Sequence, residues 1–368
     1  MRPRRAPLVE LLFLLLVLFV VAEAREYRRA LPGYRFEFPR DHFSHPDFKT
    51  EWWYYTGHLD TADGERYGYQ VTFFRVGTEG GSPATNPSRW TVRDLFLAHF
   101  AISDLGRRRF HFTDRLNRGA LEAAGASTTA LKVWNGDWRL EADGETHRLR
   151  AKDDRYAVDL TLIPAKPPAI HGHGGVSQKG EGAGYASHYY SLTRLTTTGT
   201  MGISGRTVRV SGWSWMDHEF GSSQLHEEHE GWDWFGLQLD NRVELMFYVM
   251  RRSGGRPDRQ SSGTLMPPDG TSVPLTVAQV DIHPTGTWTS PRTGATYPSG
   301  WDIRIPDHGL ALMVTPSFPD QELDTRRSTQ VIYWEGSVHV RGTYAGQPIT
   351  GHGYVELTGY AGRFNKRI

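Results

Sequence analysis

The chain of 368 residues contains no cysteine. That excludes a disulfide framework, a thiolate-ligated zinc site and lipid attachment through an N-terminal cysteine. An excess of either charge is lacking too. Lys and Arg total 42 against 41 Asp and Glu, a net charge of +1, so nothing suggests the basic stripe of a nucleic-acid partner. Gly-x-Ser-x-Gly is absent, which leaves no sign of an α/β-hydrolase nucleophile elbow. The phosphate-binding Gly-x-x-x-x-Gly-Lys-Ser/Thr loop and a dinucleotide glycine fingerprint are missing as well, so no nucleotide cofactor is implied. Past the N-terminal segment the sequence shows no amphipathic helix of four turns and no second long apolar run.

Glycine (40 residues), proline (21) and a 12% aromatic content favour many short strands joined by tight turns. The length suits two domains of about 150 residues each. The chain opens like a secretory signal over residues 1–24. Arg2, Arg4 and Arg5 precede an apolar Leu11–Val21, and Ala22-Glu23-Ala24 has the form of a cleavage site. That apolar run falls short of the roughly 20 residues a membrane helix needs. The expectation is an exported protein, periplasmic or secreted, with no stable membrane span once the signal is removed.

Thr50–Leu59 is aromatic on both faces, as expected of a strand in the wall of a filled barrel. Asp63-Gly64, Asn135-Gly136 and Asp143-Gly144 mark hairpin turns between further strands. Gly77–Arg89 reads as a surface loop and Pro164–Gly184 as a long irregular loop. The halves also echo one another. Trp52-x-Tyr54 with Leu59-Asp60 matches Trp232-x-Trp234 with Leu239-Asp240, and each is followed by an aromatic strand ending in arginine, Arg75 or Arg251. Ser211-Gly212-x-x-Trp215-x-Asp217 likewise parallels Thr350-Gly351-x-x-Tyr354-x-Glu356. The fold expected is all-β: two tandem antiparallel β-barrel domains, 35–222 and 228–368, packed together with a seam near 221–230.

The chemistry concentrates at that seam. Asp217 lies in sequence between Trp213/Trp215 and Trp232/Trp234. A carboxylic acid buried among indoles stays protonated towards neutral pH. Such an acid can protonate an alkene, and aromatic faces can stabilise the cation by roughly 0.5–2 kcal/mol per ring. Asp217 is therefore the candidate general acid. His188 and His218 are candidates to position or deprotonate a water, since imidazole titrates near pH 6.5. Trp52, Tyr54, Tyr189, Trp213, Trp215, Trp232 and Trp234 are expected to line the pocket. The alternative is structural: seam acids hydrogen-bonding the backbone, and strand tryptophans serving only as core. Glu51 is expected in an ion pair with Arg194 or Arg75. Three histidine pairs, His42/His45, His171/His173 and His226/His229, are candidate metal ligands. The last lacks the spacing of the His-Glu-x-x-His helix, the first has no obvious third ligand, the second lies in a Gly-rich loop, and no metal is expected.

Phe38-Pro39-Arg40-Asp41-His42 through Glu51-Trp52-Trp53-Tyr54 resembles the AttH-like family of secreted proteins, relatives of the carotenoid 1,2-hydratases. The resemblance continues at Gly184–Ser191, Trp213-x-Trp215-Met216-Asp217-His218-Glu219-Phe220-Gly221, Gly231-Trp232-Asp233-Trp234, Tyr333–Gly336 and Gly353–Tyr360. It implies two lipocalin-like barrels, and a hydratase- or cyclase-like action on an apolar lipid or isoprenoid without a cofactor. Members of the family are often labelled hydrolases. Met216 stands where the carotenoid hydratases carry a histidine, a departure that speaks against carotenoid hydration itself. A lipocalin-like carrier that binds an apolar ligand without chemistry is the other reading left open.

Overall fold

The structure, a computed structural model, describes residues 27–78, 91–223 and 225–363. The expected signal segment 1–24 and most of the Gly77–Arg89 loop fall outside them. Among the described residues the helical elements are single 3-10 turns at Arg40–His42, Val277–Gln279 and Pro306–His308. All other regular structure is β.

The first sheet comprises β1 (Thr50–Thr61), β2 (Arg66–Gly77), β3 (Asp94–Asp104), β4 (Arg109–Arg118), β5 (Ala124–Ala126), β6 (Lys132–Asn135) and β7 (Trp138–Asp143). It continues with β8 (Thr146–Lys152), β9 (Tyr156–Pro164), β10 (Ala169–Ile170), β11 (Ser177–Gln178), β12 (Ala186–Ile203) and β13 (Arg206–Gly221). The order along it is β4-β3-β2-β1-β13-β12-β9-β8-β7-β6-β5, with β10 and β11 paired to β12. The sheet curls nearly shut. Across the closing side, Asn117 on β4 donates to the Asn135 side chain on β6 at 2.6 Å, and Arg115 donates to the Asn135 carbonyl at 3.0 Å.

The second sheet contains β14 (His229–Leu239), β15 (Glu244–Arg252), β16 (Ser262–Met266), β17 (Val273–Thr276) and β18 (Asp281–Pro284). A separate hairpin is formed by β19 (Thr287–Thr289) and β20 (Thr296–Pro298). The remaining strands are β21 (Trp301–Ile305), β22 (Leu310–Pro316), β23 (Glu322–Thr325), β24 (Val331–Tyr344) and β25 (Gln347–Thr358). Their order is β17-β16-β15-β14-β25-β24-β22-β21-β18, and β23 pairs with β24.

The duplication read from sequence reappears in the strand register. Tyr54 faces Asp217 across β1 and β13, and the matching Trp234 faces Glu356 across β14 and β25. Arg75 lies opposite Glu51 and Arg251 opposite Gly231, again at matching positions.

Side chains alternate between the faces of a strand, so each barrel wall sorts its residues by parity. Trp53, Tyr55, Leu192 and Met216 fill the first barrel, while Phe235, Leu237, Trp334, Val355 and Leu357 fill the second. The opposite faces meet between the barrels, where Tyr54, Tyr189, Trp215, Trp234, Met246, Tyr248, Met250 and Tyr354 make a third apolar cluster.

Buried ions pin this interface. Glu244 of the second barrel receives Arg194 at 2.5 Å and Lys166 at 2.6 Å, both from the first-barrel segment. Lys166 also donates to the carbonyls of Arg242 and Pro267, each at 2.7 Å. Removing one member of such a cluster strands the others without a counter-charge, which costs about 3–5 kcal/mol. Glu244→Ala is therefore expected to lower the denaturation midpoint sharply and to split unfolding into two transitions, one per barrel. Fluorescence and circular dichroism followed across urea should show them as non-coincident curves.

Candidate active site

Asp217 sits on the inter-barrel face of β13 and is only 4% exposed. Its carboxyl group accepts three side-chain hydrogen bonds. Trp215 Nε1 donates to Oδ1 at 2.6 Å, Tyr189 donates to Oδ2 at 2.9 Å, and Ser191 donates to Oδ1. Trp234 of the second barrel donates to the Tyr189 hydroxyl at 3.1 Å, which ties the site across the seam. These donors favour the carboxylate, yet burial outweighs them and neighbouring Glu219 adds repulsion. The carboxyl is pushed up from 3.8 to about 7. A group poised there can give or take a proton near neutral pH.

Behind Asp217 runs a polar chain from the Pro164–Gly184 segment. His171 Nε2 lies 2.7 Å from Ser191 Oγ, and its Nδ1 lies 2.8 Å from Thr264 Oγ1 in the second barrel. Ser191 spends its one proton on Asp217, so the assignment that satisfies all groups has His171 donating from Nε2 and accepting from Thr264 at Nδ1. Burial, aided by Lys179, keeps this imidazole neutral by holding its pKa well below 6.5. When Asp217 is protonated, every bond in the chain can reverse. The serine lies between acid and imidazole, which is not the order of a nucleophilic triad, where histidine lies between. Gly172 shapes the turn that presents His171. Its φ is +79°, and a Cβ there would stand 1.9 Å from the Val176 carbonyl oxygen. Gly172→Ala is expected to displace His171 and cost roughly 1–3 kcal/mol by backbone strain. Thermal melting would read the stability loss.

A second set of acids closes the site from the other barrel. Glu335 and Glu356 are ladder partners on β24 and β25 and face the same interface. Gln70 Nε2 donates to Glu335 Oε2 at 2.7 Å, and Trp232 Nε1 donates to Glu356 Oε2 at 3.3 Å. Burial, reinforced by the repulsion of Glu356, holds Glu335 well above the usual carboxylate range. Burial likewise lifts Glu356 to about 7, with Asp217 and Glu219 adding to the rise. Tyr333 is hydrogen-bonded to His99 Nδ1 at 2.7 Å beside this pair. Glu219 itself is balanced by Lys179 at 3.3 Å, whose ammonium group lies 3.7 Å from the centre of the Tyr248 ring.

The residues expected from sequence divide by strand parity. Tyr54, Tyr189, Trp215 and Trp234 join the inter-barrel cluster, with Trp52 and Trp232 packed against it. Trp213 shares that face of β13 but is 43% exposed, capped by the Arg194 guanidinium at 5.3 Å. It is at the edge and does not line a buried pocket. His218 and His188 do not approach Asp217. His218 is adjacent in a strand and so points the opposite way, into the first barrel, where its Nε2 meets Glu51 at 3.0 Å. His188 bonds the Gly175 carbonyl at 2.6 Å and stacks on Tyr34, with ring centres 4.1 Å apart. The geometry corrects their assignment as water-handling partners of Asp217. Glu51 takes Arg75 as its ion-pair partner at 3.0 Å, and Arg194 is committed to Glu244.

Reading the sequence missed His171, Ser191, Glu335 and, as an acid in its own right, Glu356. The repeat gave one available signal, since Glu356 had already aligned with Asp217. Among the described residues, His45, Glu51 and His218 bring three ligand atoms within 4.8 Å of one another. Both imidazoles already hydrogen-bond Glu51 there, at 2.9 and 3.0 Å, and Arg75 supplies the positive charge. No described helix is long and apolar enough to cross a membrane.

Two lipocalin-like barrels with a buried acid set between them define an all-β class of protein. The chain belongs to the AttH-like family, whose profile matches residues 29–360. It is similar to the crystal structure of a putative AttH from Nitrosomonas europaea, with 34% identity and a TM-score of 0.82 over 90% of this chain and 99% of that one. The fold is shared with kievitone hydratase from Nectria haematococca, at 18% identity and a TM-score of 0.69 over 92% and 98% of the two chains. CghA bound to Sch210972 shares it more distantly, at 12% identity and a TM-score of 0.55 over 92% and 98%. No curated protein matches the chain in sequence.

Proposed function

We propose that this protein is an exported, cofactor-independent enzyme that hydrates or isomerises an apolar, lipid- or isoprenoid-like molecule between its two barrels. Asp217 is the proton donor. The observation that carries the reading is a fully buried aspartate held near neutral pKa among Trp215, Trp234 and Tyr189. A structural carboxylate in that position would gain by remaining ionised against a cation, and none of the donors Asp217 receives is an Arg or Lys side chain. The sulfur- and ring-rich surroundings, Met246, Met250 and Tyr248, suit an apolar body and leave a developing carbocation next to aromatic faces. Hydration of an alkene then needs no nucleophilic serine, in keeping with the order of His171, Ser191 and Asp217. The shared fold with a hydratase supports this class of reaction, and the signal-like N-terminus supports export.

Native mass spectrometry of the mature protein after incubation with a lipid extract of its host would test the reading. Wild type and Asp217→Asn should both retain an apolar ligand. Only wild type should release it changed by the mass of water or rearranged. Equal return of unchanged ligand by both forms would make the protein a carrier.

A further inference from the structure

Four polar atoms beside the acid set are buried without a hydrogen-bond partner: Tyr54 Oη, Tyr354 Oη, Gln70 Oε1 and Glu335 Oε1. The four residues that bear them are each at least nine-tenths buried. An orphaned buried polar atom costs about 1–3 kcal/mol, and such atoms seldom occur together without a ligand or water to serve them. All four belong to the inter-barrel face. Tyr54 stands opposite Asp217 in the ladder, and Gln70 Nε2 already binds the other oxygen of Glu335. Tyr54 points its hydroxyl towards Glu335 without a well-formed hydrogen bond. Around Glu335 the set offers the Tyr54 phenol donor, the Gln70 amide acceptor and the free carboxyl oxygen, which is the complement of an O–H group, while the Tyr354 hydroxyl lies further along the face against Gly68.

We infer that Glu335 and Glu356, with Tyr54 and Gln70, form an oxygen-binding socket that holds the attacking water and accepts its proton opposite Asp217. The inference rests on the hydration reading of the same site. Two carboxyl groups directly opposed in an antiparallel pair cannot both ionise cheaply, so the pair holds one proton and keeps one basic site. The step balances. The Asp217 proton forms a C–H bond as the alkene π bond breaks, the water oxygen forms the C–O bond to the cation, and its spare proton passes to the Glu335–Glu356 pair. Returning that proton to Asp217 closes the cycle, with alkene and water consumed and alcohol formed. In this arrangement the sequence-expected water-handling role of His188 and His218 belongs to two glutamates of the second barrel.

The test uses the mature full chain as wild type, E335Q, E356Q and D217N, each checked for folding by circular dichroism. Farnesol, an isoprenoid alcohol, is the probe, incubated in heavy-oxygen water and separately in deuterium oxide. Wild type should introduce both labels. E335Q and E356Q should retain deuterium exchange, which needs only Asp217, while heavy-oxygen incorporation falls about a hundredfold or more. D217N should lose both labels. Heavy-oxygen incorporation at wild-type rates in both glutamine variants would overturn the socket as a base. A wild type that introduces neither label would remove the hydration reading with farnesol, and a ligand-free infrared titration then decides the socket. A protonated-carboxyl band that persists through neutral pH in D217N and shifts to lower pH when E335Q or E356Q is added to D217N supports it. A band that is absent in D217N, or unchanged when either glutamine is added to D217N, overturns it. If farnesol itself shifts that band in wild type and water is not incorporated, the socket receives the ligand's own hydroxyl, and the assignment to water is wrong.

Discussion

Asp217→Asn should reduce turnover by about a hundred- to ten-thousandfold while leaving the protein folded and able to bind its ligand. Asparagine keeps the shape of the carboxyl group and can still accept from Trp215 at Oδ1, while its NH2 donates to the Tyr189 hydroxyl in place of accepting from it, but it has no acidic proton to give. The same substitution should raise stability at mildly alkaline pH. Burial lifts the native carboxyl from 3.8 to about 7, so between those values the folded state binds more protons than the unfolded chain. Stability therefore falls as pH rises from about 4 to about 7 and levels off above, where the cost is on the order of 4 kcal/mol. Asp217→Asn removes its share of that slope. Urea titrations at about pH 5 and about pH 8 should show the variant's gain on wild type growing between the two. A neutral-pH acid retained at the expense of stability is what an active site demands and a purely structural seam does not.

The second large effect lies inside the first barrel. Glu51 is fully buried and accepts from Arg75 at 3.0 Å, His218 at 3.0 Å, His45 at 2.9 Å and Ser44 at 2.8 Å. Burial opposes its charge, but these donors outweigh burial and hold its pKa well below the usual range. Burial also opposes protonation of His45, and there hydrogen bonds to Asp41 and Glu51 prevail and raise the imidazole above 6.5. Glu51→Ala leaves the Arg75 guanidinium and His45 without their carboxylate, at a cost of about 3–5 kcal/mol. The sign with pH can be followed separately. The His45 contribution is complete below its unfolded pKa of 6.5 and is lost as pH rises through the raised folded value. The Glu51 contribution is present above its unfolded pKa of 4.5 and is lost as pH falls through the depressed folded value. In Glu51→Ala the first of these should be weakened and the second absent, so melting temperatures measured across acidic pH should flatten. An unchanged melting temperature would show that Arg75 is neutralised from elsewhere, for example by Asp94 at 3.0 Å.

Much of this architecture was written locally. Alternating aromatic runs, turn dipeptides and the repeated Trp-x-Tyr/Trp motif announced paired barrels, because strand periodicity and turns are properties of neighbouring residues. The tryptophans of the inter-barrel cluster came with them, since Trp52, Trp215, Trp232 and Trp234 all fall on one parity of their strands. The histidines did not. His218 follows Asp217 in the same strand, and the two-residue period alone sends adjacent side chains to opposite faces. His188 lies one residue from Tyr189 and is turned away for the same reason. His171 was concealed differently. It lies in a Pro- and Gly-rich segment without periodicity and reaches Ser191 only because Ala169–Ile170 pairs with β12. Glu335 needed knowledge of which strand pairs with which, although the match of Glu356 to Asp217 already placed one acid of each half at the same point of the repeat.

The most direct measurement is the titration of Asp217 itself. Carbon-13 NMR of selectively labelled aspartate, assigned by comparison with Asp217→Asn, reports the protonation of that one carboxyl group. The account predicts an Asp217 signal that titrates near neutrality, at about 7. Titration in the ordinary carboxylate range, near 3.8, would leave no proton to donate at neutral pH and would contradict the account.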